Sequence, residues 1–332
     1  MSSNAQQSRP RLICLTPVKN EAWILARFLE ATSLWADEII VADQLSEDGS
    51  REIARQFPKV RLIENNCPTY DESERQALLI AAARENAKPG ERTLLLGLDA
   101  DEFFSAEALA PSFWNEIGSH PDGTILHFER PTLRPGFRQY WDEPMSPIGF
   151  LDDGSPHIGT QIHSMRVPRS ESSEIVRLQA PVILHYHAVN WERMAMKMRW
   201  YQCHEFIQGM ETCPITLYRK YHAAWVAPSA LHDAPDSWFE EYEKRGVEIR
   251  ETPKEEGAGY WAEQFANLLR EHGTATFSKL GIWDRNWNSA AKDLKDPRSG
   301  RERASHWLLE KSQPWGGARR LWFERVARRL LK

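Results

Sequence analysis

The first hundred residues alternate short apolar runs with helical patterns, and every apolar run ends in a polar cluster. Residues 12–16 (LICLT) form an apolar run that stops at Pro17. Trp23, Ile24, Phe28 and Leu29 then recur at helical spacing. Residues 38–42 (EIIVA) form a second strand, closed by the turn DQLSEDGS at 43–50, in which Asp48-Gly49 is strong turn chemistry. A short helix at 51–57, a third strand at 60–63, an alanine-rich helix at 73–86 and a fourth strand at 93–98 follow. Strands separated by helices of this length specify a mostly parallel sheet with right-handed crossovers. Ligands in such α/β sheets bind beyond the carboxyl ends of the strands. The polar clusters fall at those ends: Lys19-Asn20-Glu21, Asp43, Asn65-Asn66, and Asp99 with Asp101.

After Phe104 the pattern changes. Further strands are expected at 125–128, 165–167 and 182–187, and a helix at 191–206, with Met194, Met198, Tyr201 and Glu205 near one face. The stretch 131–160, rich in Pro, Gly and Asp, reads as long loops. From about Pro228 the chain reads as helical, polar and rich in tryptophan. The expected organisation is a flexible segment 1–10, an α/β domain 11–227 with halves 11–104 and 105–227, and a helical extension 228–332.

Composition narrows the function. The 332 residues carry 42 Lys+Arg against 47 Asp+Glu, a net charge of −5 that excludes a generally basic nucleic-acid binder. No apolar stretch is long enough to span a membrane, and the first ten residues lack the apolar core of a secretory signal, so a cytoplasmic protein is expected. The four cysteines form no paired motif, and a reducing compartment is the simpler assumption. Fourteen tryptophans are many for this length. Most must pack, but such a surplus also suits a cleft for flat, partly polar ligands.

Asp99 and Asp101 flank Ala100 at the end of a very apolar strand. Two carboxylates so placed can bind a hard divalent cation, Mn²⁺ or Mg²⁺, beside a polar ligand. They can also simply cap the next helix. Near them in sequence, Pro17-Val18-Lys19-Asn20-Glu21, Ala36 to Asp43, Ser46-Glu47-Asp48-Gly49-Ser50 and Asp99-Ala100-Asp101 together resemble family 2 glycosyltransferases. The resemblance is close from Arg11 to about Phe104 and loose to Arg199. It implies a GT-A fold, a nucleotide-sugar donor and inversion at the anomeric carbon.

It also implies roles by position. Pro17, Lys19 and Glu21 would line the nucleotide pocket. Asp43 would accept from the base, with uridine favoured and guanosine or thymidine open. Arg75 would approach the diphosphate. Asp99, with Ala100, would face the ribose or metal, and Asp101 would ligate the metal. Lys19 stands where the family commonly has an aromatic residue, and Gln44-Leu45-Ser46 stands where it has Asp-Gly-Ser. His185, with His187 second, is the candidate histidine ligand. A zinc site from His157, His163, His185 and His187 is a rival without a usual spacing. An inverting transfer needs a base for the acceptor hydroxyl. Asp153, with Asp152, is the first choice, and Glu192 and Glu129 are alternatives. Lys197, Arg199 and Tyr201 are candidates to close over the diphosphate.

The tail 317–332 carries six cations against Glu324, with Trp322, Phe323, Val326, Leu330 and Leu331 toward one side of a wheel. That is the composition of an interfacial membrane helix, and equally of a terminal helix docked on its own domain. The expected acceptor is a glycan or a lipid-linked glycan, reached with or without peripheral membrane contact. A nucleotidyltransferase and a non-catalytic nucleotide or glycan binder are the competing functions. The first of these expects a glycine-rich phosphate loop, and residues 17–21 contain no glycine.

Overall fold

A computed structural model describes residues 9–67, 71–161, 164–169, 173–222, 231–251, 259–284 and 286–331. The chain divides into two compact units. One comprises residues 1–189 with 233–253, the other 190–232 with 254–332. The chain passes between the units three times, at 189/190, 232/233 and 253/254, beside the single boundary expected at 227/228. The reason is burial: Phe239, Tyr242 and Ile249 are fully buried in the core of the first unit, and the Tyr186 hydroxyl donates to the Ile249 carbonyl at 2.7 Å.

The first unit is built on a seven-stranded sheet. Four parallel strands, β1 (Arg11–Val18), β2 (Glu38–Asp43), β3 (Val60–Glu64) and β4 (Thr93–Gly97), are linked by helices α1 (Ala22–Ser33), α2 (Ser50–Ala54) and α3 (Glu72–Glu85). Period-two alternation divides β1 between two layers. Leu12 and Cys14 pack with Ile24, Phe28 and Leu29 of α1, while Ile13 and Leu15 pack with Leu79, Ile80 and Ala83 of α3. Each of the leucine, isoleucine and phenylalanine side chains among these contributes about 1.5–3 kcal/mol of transfer free energy.

Two β-strands fall inside 131–160 where loops were expected on the edge of the second sheet, and a third enters the main sheet. β9 (Ser146–Leu151) runs antiparallel between β4 and β6 (Ile125–Phe128), with β10 (Ile175–Leu178) beyond β6. Pro147 sits where the register shifts between Leu126 and His127, the place a sheet tolerates a proline. Gly149 is required because a Cβ there would lie 2.9 Å from the Leu126 side chain. Proline and glycine, the residues that made this segment read as loop, have local reasons inside the strand. No strand forms at 165–167. These residues lie in a bend.

A second, five-stranded sheet holds β5 (Glu102–Phe104), β7 (Thr132–Leu133), β8 (Gln139–Trp141), β11 (Ile183–His185) and β12 (His232–Asp233), in the order β12-β8-β7-β11-β5. Its register aligns Glu102, His185, Thr132 and Trp141 across four strands. The fold is therefore a mixed α/β architecture of GT-A type, with a mostly parallel central sheet flanked by helices and a helical C-terminal part.

The second unit is helical. It contains α5 (Trp191–Ile207), α6 (Pro214–Tyr221), α8 (Tyr260–His272), α9 (Gly300–Ser312) and α10 (Gly317–Leu330), and α7 (Glu240–Lys244) belongs to the first unit. Phe265, Leu269, Phe277, Leu280 and Ile282 fill its core with Cys203 and Leu217. The inward side of α10 carries Ala327 and the following Leu331, and Glu324 receives Arg219 at 2.9 Å. Its outward side mixes Leu321 and Trp322, both more than half exposed, with Arg325, Arg328 and Arg329. Apolar and cationic residues share one face instead of dividing between two, because the docked side is claimed by the Glu324–Arg219 pair. Among the described residues, no helix is long and apolar enough to cross a membrane.

Candidate active site

The loops after β1 and β2 are laced to each other at the carboxyl end of the sheet. The Asn20 and Glu21 backbone N–H groups donate to the Ser46 and Ser50 hydroxyls at 2.9 and 3.0 Å. The Ala22 N–H donates to Asp48 at 2.9 Å, and the Asn20 side chain accepts from the Glu47 N–H at 2.8 Å. Asn20 and Leu45 hold φ of 53° and 54°, the left-handed region that asparagine tolerates better than leucine. Lys19 donates from Nζ to the Gln44 carbonyl at 2.8 Å, and Glu21 accepts from the Trp23 indole at 2.5 Å. Pro17 precedes this clasp, paired with Ala42 on β2. The Ser-Glu-Asp-Gly-Ser motif thus rigidifies the neighbouring loop.

Asp43 closes β2 in register with Val18 on one side and Glu64 on the other. It is 1% exposed. Its Oδ2 accepts from the Ser46 N–H at 3.1 Å, and the Arg51 Nε lies 3.6 Å away. Its Oδ1 is buried and has no hydrogen-bond partner among the described residues. A buried carboxylate oxygen without a donor is costly. An N–H from a bound base would remove that cost.

The turn after β4 is held by a chain of alternating charges. The fully buried Glu102 carboxylate accepts the Asp99 N–H at 3.0 Å and lies between two guanidinium groups. Arg166 reaches Asp99 at 2.8 Å, both Glu102 oxygens and the Gly97 carbonyl. Arg130 bridges Glu102 at 3.0 Å to Glu143 at 2.5 Å. Burial alone would raise Glu102, but the charges of Arg166, Arg130 and His185 outweigh it and hold the carboxyl down to about 2. Burial would lower Arg166, and Asp99 with Glu102 pushes it above the ordinary range instead. Ala100 and Asp101 are buried within the turn, and the Asp101 carbonyl accepts the Tyr186 N–H at 2.8 Å.

From Glu102 the second sheet leads directly to a histidine pair. The Thr132 hydroxyl donates to Glu143 at 2.7 Å and lies 3.1 Å from His185 Nδ1. Because the hydroxyl proton goes to Glu143, Nδ1–H donates to threonine, and Nε2 of His185 keeps its lone pair. His187 stacks on His185 with ring centroids 4.4 Å apart. Glu143, His185 and His187 each offer a ligand atom within 4.8 Å of the others. Burial would raise the Glu143 carboxyl, but His185, Arg130 and Thr132 hold it well below the usual carboxylate range. Two imidazoles and a carboxylate suit Mn²⁺ and other transition ions better than Mg²⁺. Asp101 is not part of this group, in which Glu143 and His187 stand beside His185.

The expected base residues lie elsewhere. Asp152 follows β9, and its N–H donates to the Thr93 carbonyl, at the amino end of β4. That is the end of the sheet opposite Asp99. Asp152 is bound to Arg84 at 2.6 and 3.0 Å, and the exposed Asp153 accepts the Ser155 N–H at 2.8 Å. An Asp-Asp-Gly turn built for a structural ion pair explains the motif. We therefore expect Asp153→Asn to keep transfer within about twofold of wild type, as a surface change away from chemistry does. A rate loss of 100-fold in the same assay would restore Asp153 as a candidate.

Arg75 lies on the first turn of α3, 3.8 Å from Glu72, with its Nε buried. His157 donates from Nε2 to the Met165 carbonyl, 2.7 Å away, and does not join His185. His163 lies outside the described residues, as do residues 1–8 of the N-terminal segment. Arg199 is buried on Asp284 in the second unit, and Lys197 sits over Trp261 at 5.5 Å. Arg166, Arg130 and Glu143 were missed from the sequence. Their one signal was cationic and acidic residues inside segments of otherwise loop-like composition.

Residues 14–171 match the family model described as glycosyl transferase family 2, and the chain carries a domain of that family over this span. Glycosyl transfer from a nucleotide-sugar donor is the activity the family defines. No curated protein matches the chain. Among solved structures, the crystal structure of 4-diphosphocytidyl-2C-methyl-D-erythritol synthase is similar at 14% identity, covering 57% of this chain and 79% of that one, with a TM-score of 0.27.

Proposed function

We propose that the chain is a metal-dependent, inverting glycosyltransferase that moves a sugar from a nucleoside diphosphate donor, most simply a UDP-sugar, to a hydroxyl of a glycan or lipid-linked glycan. The observation that carries this reading is the buried, unpartnered Asp43 Oδ1 beside the laced loops, at the same end of the sheet as Asp99 and Asp101. Pro17, Lys19 and Glu21 border the base, Asp43 accepts its N–H, and Asp99 and Asp101 face the ribose and diphosphate. Arg75 stands on the first turn of α3 as the diphosphate cation. Glu143, His185 and His187 would hold the cation, and their donor set fits Mn²⁺. When bound, such an ion neutralises charge on a leaving diphosphate.

In the reaction, the acceptor oxygen forms a bond to the anomeric carbon as the bond to the diphosphate oxygen breaks. The acceptor proton goes to a carboxylate base, and the nucleoside diphosphate leaves. With Asp152 and Asp153 at the opposite end of the sheet, Glu129 takes the base role. It follows β6, which runs parallel to β4, and its side chain is exposed at the sheet's carboxyl end. A lipid-linked acceptor would go with peripheral membrane contact through the Trp322 and arginine face of α10.

The test is thermal stability with UDP, GDP, dTDP and CMP, each with and without Mn²⁺. A ligand that binds only the native state raises the melting temperature by mass action. One nucleotide should give a metal-dependent shift, and Asp43→Ala should remove it. No shift with any nucleotide would overturn the proposal.

A further inference from the structure

The second unit holds an open cavity of about 1040 Å³ that the transfer chemistry does not use. It lies among α5, α6, α8, α9 and the segment 281–289, and every residue of its wall belongs to that unit. Four of the chain's fourteen tryptophans line it: Trp191, Trp261, Trp283 and Trp307. Trp283 spends its indole N–H on the Phe277 carbonyl at 3.0 Å. Trp261 is 9% exposed, and its Nε1 has no hydrogen-bond partner among the described residues. Trp307 is 56% exposed although it is the most costly kind of side chain to leave in water.

Three cations of the wall, Arg199, Arg298 and Arg303, are paired with carboxylates in place. Arg199 donates from two nitrogens to a single oxygen of Asp284, at 3.0 and 2.5 Å, which, among the described residues, leaves Asp284 Oδ2 open to another donor. Arg298 is divided among Asp296, the Trp283 carbonyl and His306 Nδ1, and Arg303 leans on the same Asp296 at 3.7 Å. A cavity built for a phosphate would leave such groups uncommitted. What remains on offer is mainly acceptors. His222 donates from Nδ1 to the Tyr218 carbonyl at 3.1 Å, so its Nε2 presents a lone pair. Burial holds His222 down to about 4, so at neutral pH the ring is uncharged. Glu192 and Glu310 are exposed carboxylates on the wall.

Aromatic faces combined with unfilled acceptors match one ligand chemistry. A pyranose has an apolar C–H face that stacks on an indole and a rim of hydroxyl donors that such acceptors take up. The volume is at the upper end of small-ligand pockets, which fits a short oligosaccharide better than a monosaccharide. We propose that this cavity is a binding site for a neutral oligosaccharide, stacked on Trp307 and hydrogen-bonded by Asp284 and His222. The site is independent of the transfer reading: it binds saccharide whether or not the sheet's carboxyl end turns over a donor.

The experiment uses the full chain and three neutral trisaccharides, maltotriose, cellotriose and triacetylchitotriose, at up to about 10 mM, where even a millimolar site fills. Tryptophan fluorescence and saturation-transfer NMR report binding. At least one trisaccharide should bind. Trp307→Ala should weaken it about tenfold or more with an unchanged circular dichroism spectrum. Trp322→Ala, which removes an exposed indole outside the cavity, should leave it unchanged, and so should Asp43→Ala, which disables only the nucleotide site. Binding of none of the three, binding indifferent to Trp307→Ala, or displacement of the sugar by inorganic pyrophosphate would overturn the proposal.

Discussion

Arg166→Met is expected to destabilise the first unit by about 3–5 kcal/mol, the range for breaking a buried ion pair from one side. The cause is specific. Glu102 is fully buried, and removing Arg166 leaves it with Arg130 alone while Asp99 loses its 2.8 Å partner. Transfer should fall by about 100-fold or more as well, because the Asp99–Asp101 turn hangs from this pair and displacements of an ångström are costly in a site. Arg166→Met combined with Glu102→Leu should recover a large part of the stability, since the uncompensated charge is then gone. It should not recover transfer, because Asp99 remains unanchored. Urea unfolding followed by tryptophan fluorescence, beside a transfer assay, separates these outcomes. A single variant as stable as wild type would show that solvent, not Arg166, carries the Glu102 charge.

The same pair sets a pH dependence. The folded Glu102 carboxyl is held down to about 2, below its ordinary value of 4.5. A depressed carboxyl contributes its stability above the unfolded value and loses it as pH falls from 4.5 toward 2. Its contribution at neutral pH is on the order of 3 kcal/mol. Glu102→Leu with Arg166→Met should flatten that acid limb.

The sequence made the carboxyl-end architecture legible because it is local. A strand, a turn and a helix follow one another within about thirty residues, and Asp43 and Asp99 mark the strand ends. The parts that stayed hidden are non-local. Arg166 meets Asp99 from 67 residues away, and His185 meets Thr132 from 53. No spacing rule connects them, because their meeting depends on the register of the second sheet. β9 was hidden for a different reason. Pro147 and Gly149 argue against a strand locally, and only the shifted register and the Leu126 side chain reveal why both are tolerated. Asp152 is ambiguous in the sequence because an acidic turn has the same composition whether it takes a proton or holds an arginine.

The hidden register also yields the second large effect. His185→Ala and Glu143→Gln should each weaken Mn²⁺ binding by about 100-fold or more, beyond what loss of an outer hydrogen-bond partner costs. His185 contributes a ring nitrogen, and Glu143 contributes oxygens that accept from Thr132 and Arg130 and keep a second lone pair. Thr132→Val is the informative companion. It removes the hydroxyl that fixes the His185 tautomer without touching a ligand atom, so affinity should fall about 10–100-fold. Electron paramagnetic resonance of Mn²⁺ reads binding without turnover. If Asp101 is the true anchor of the cation, the ranking reverses: Asp101→Asn abolishes Mn²⁺ binding while His185→Ala and Thr132→Val leave it intact. The order of the four variants therefore decides between an ion held by the second sheet and one held by the turn after β4.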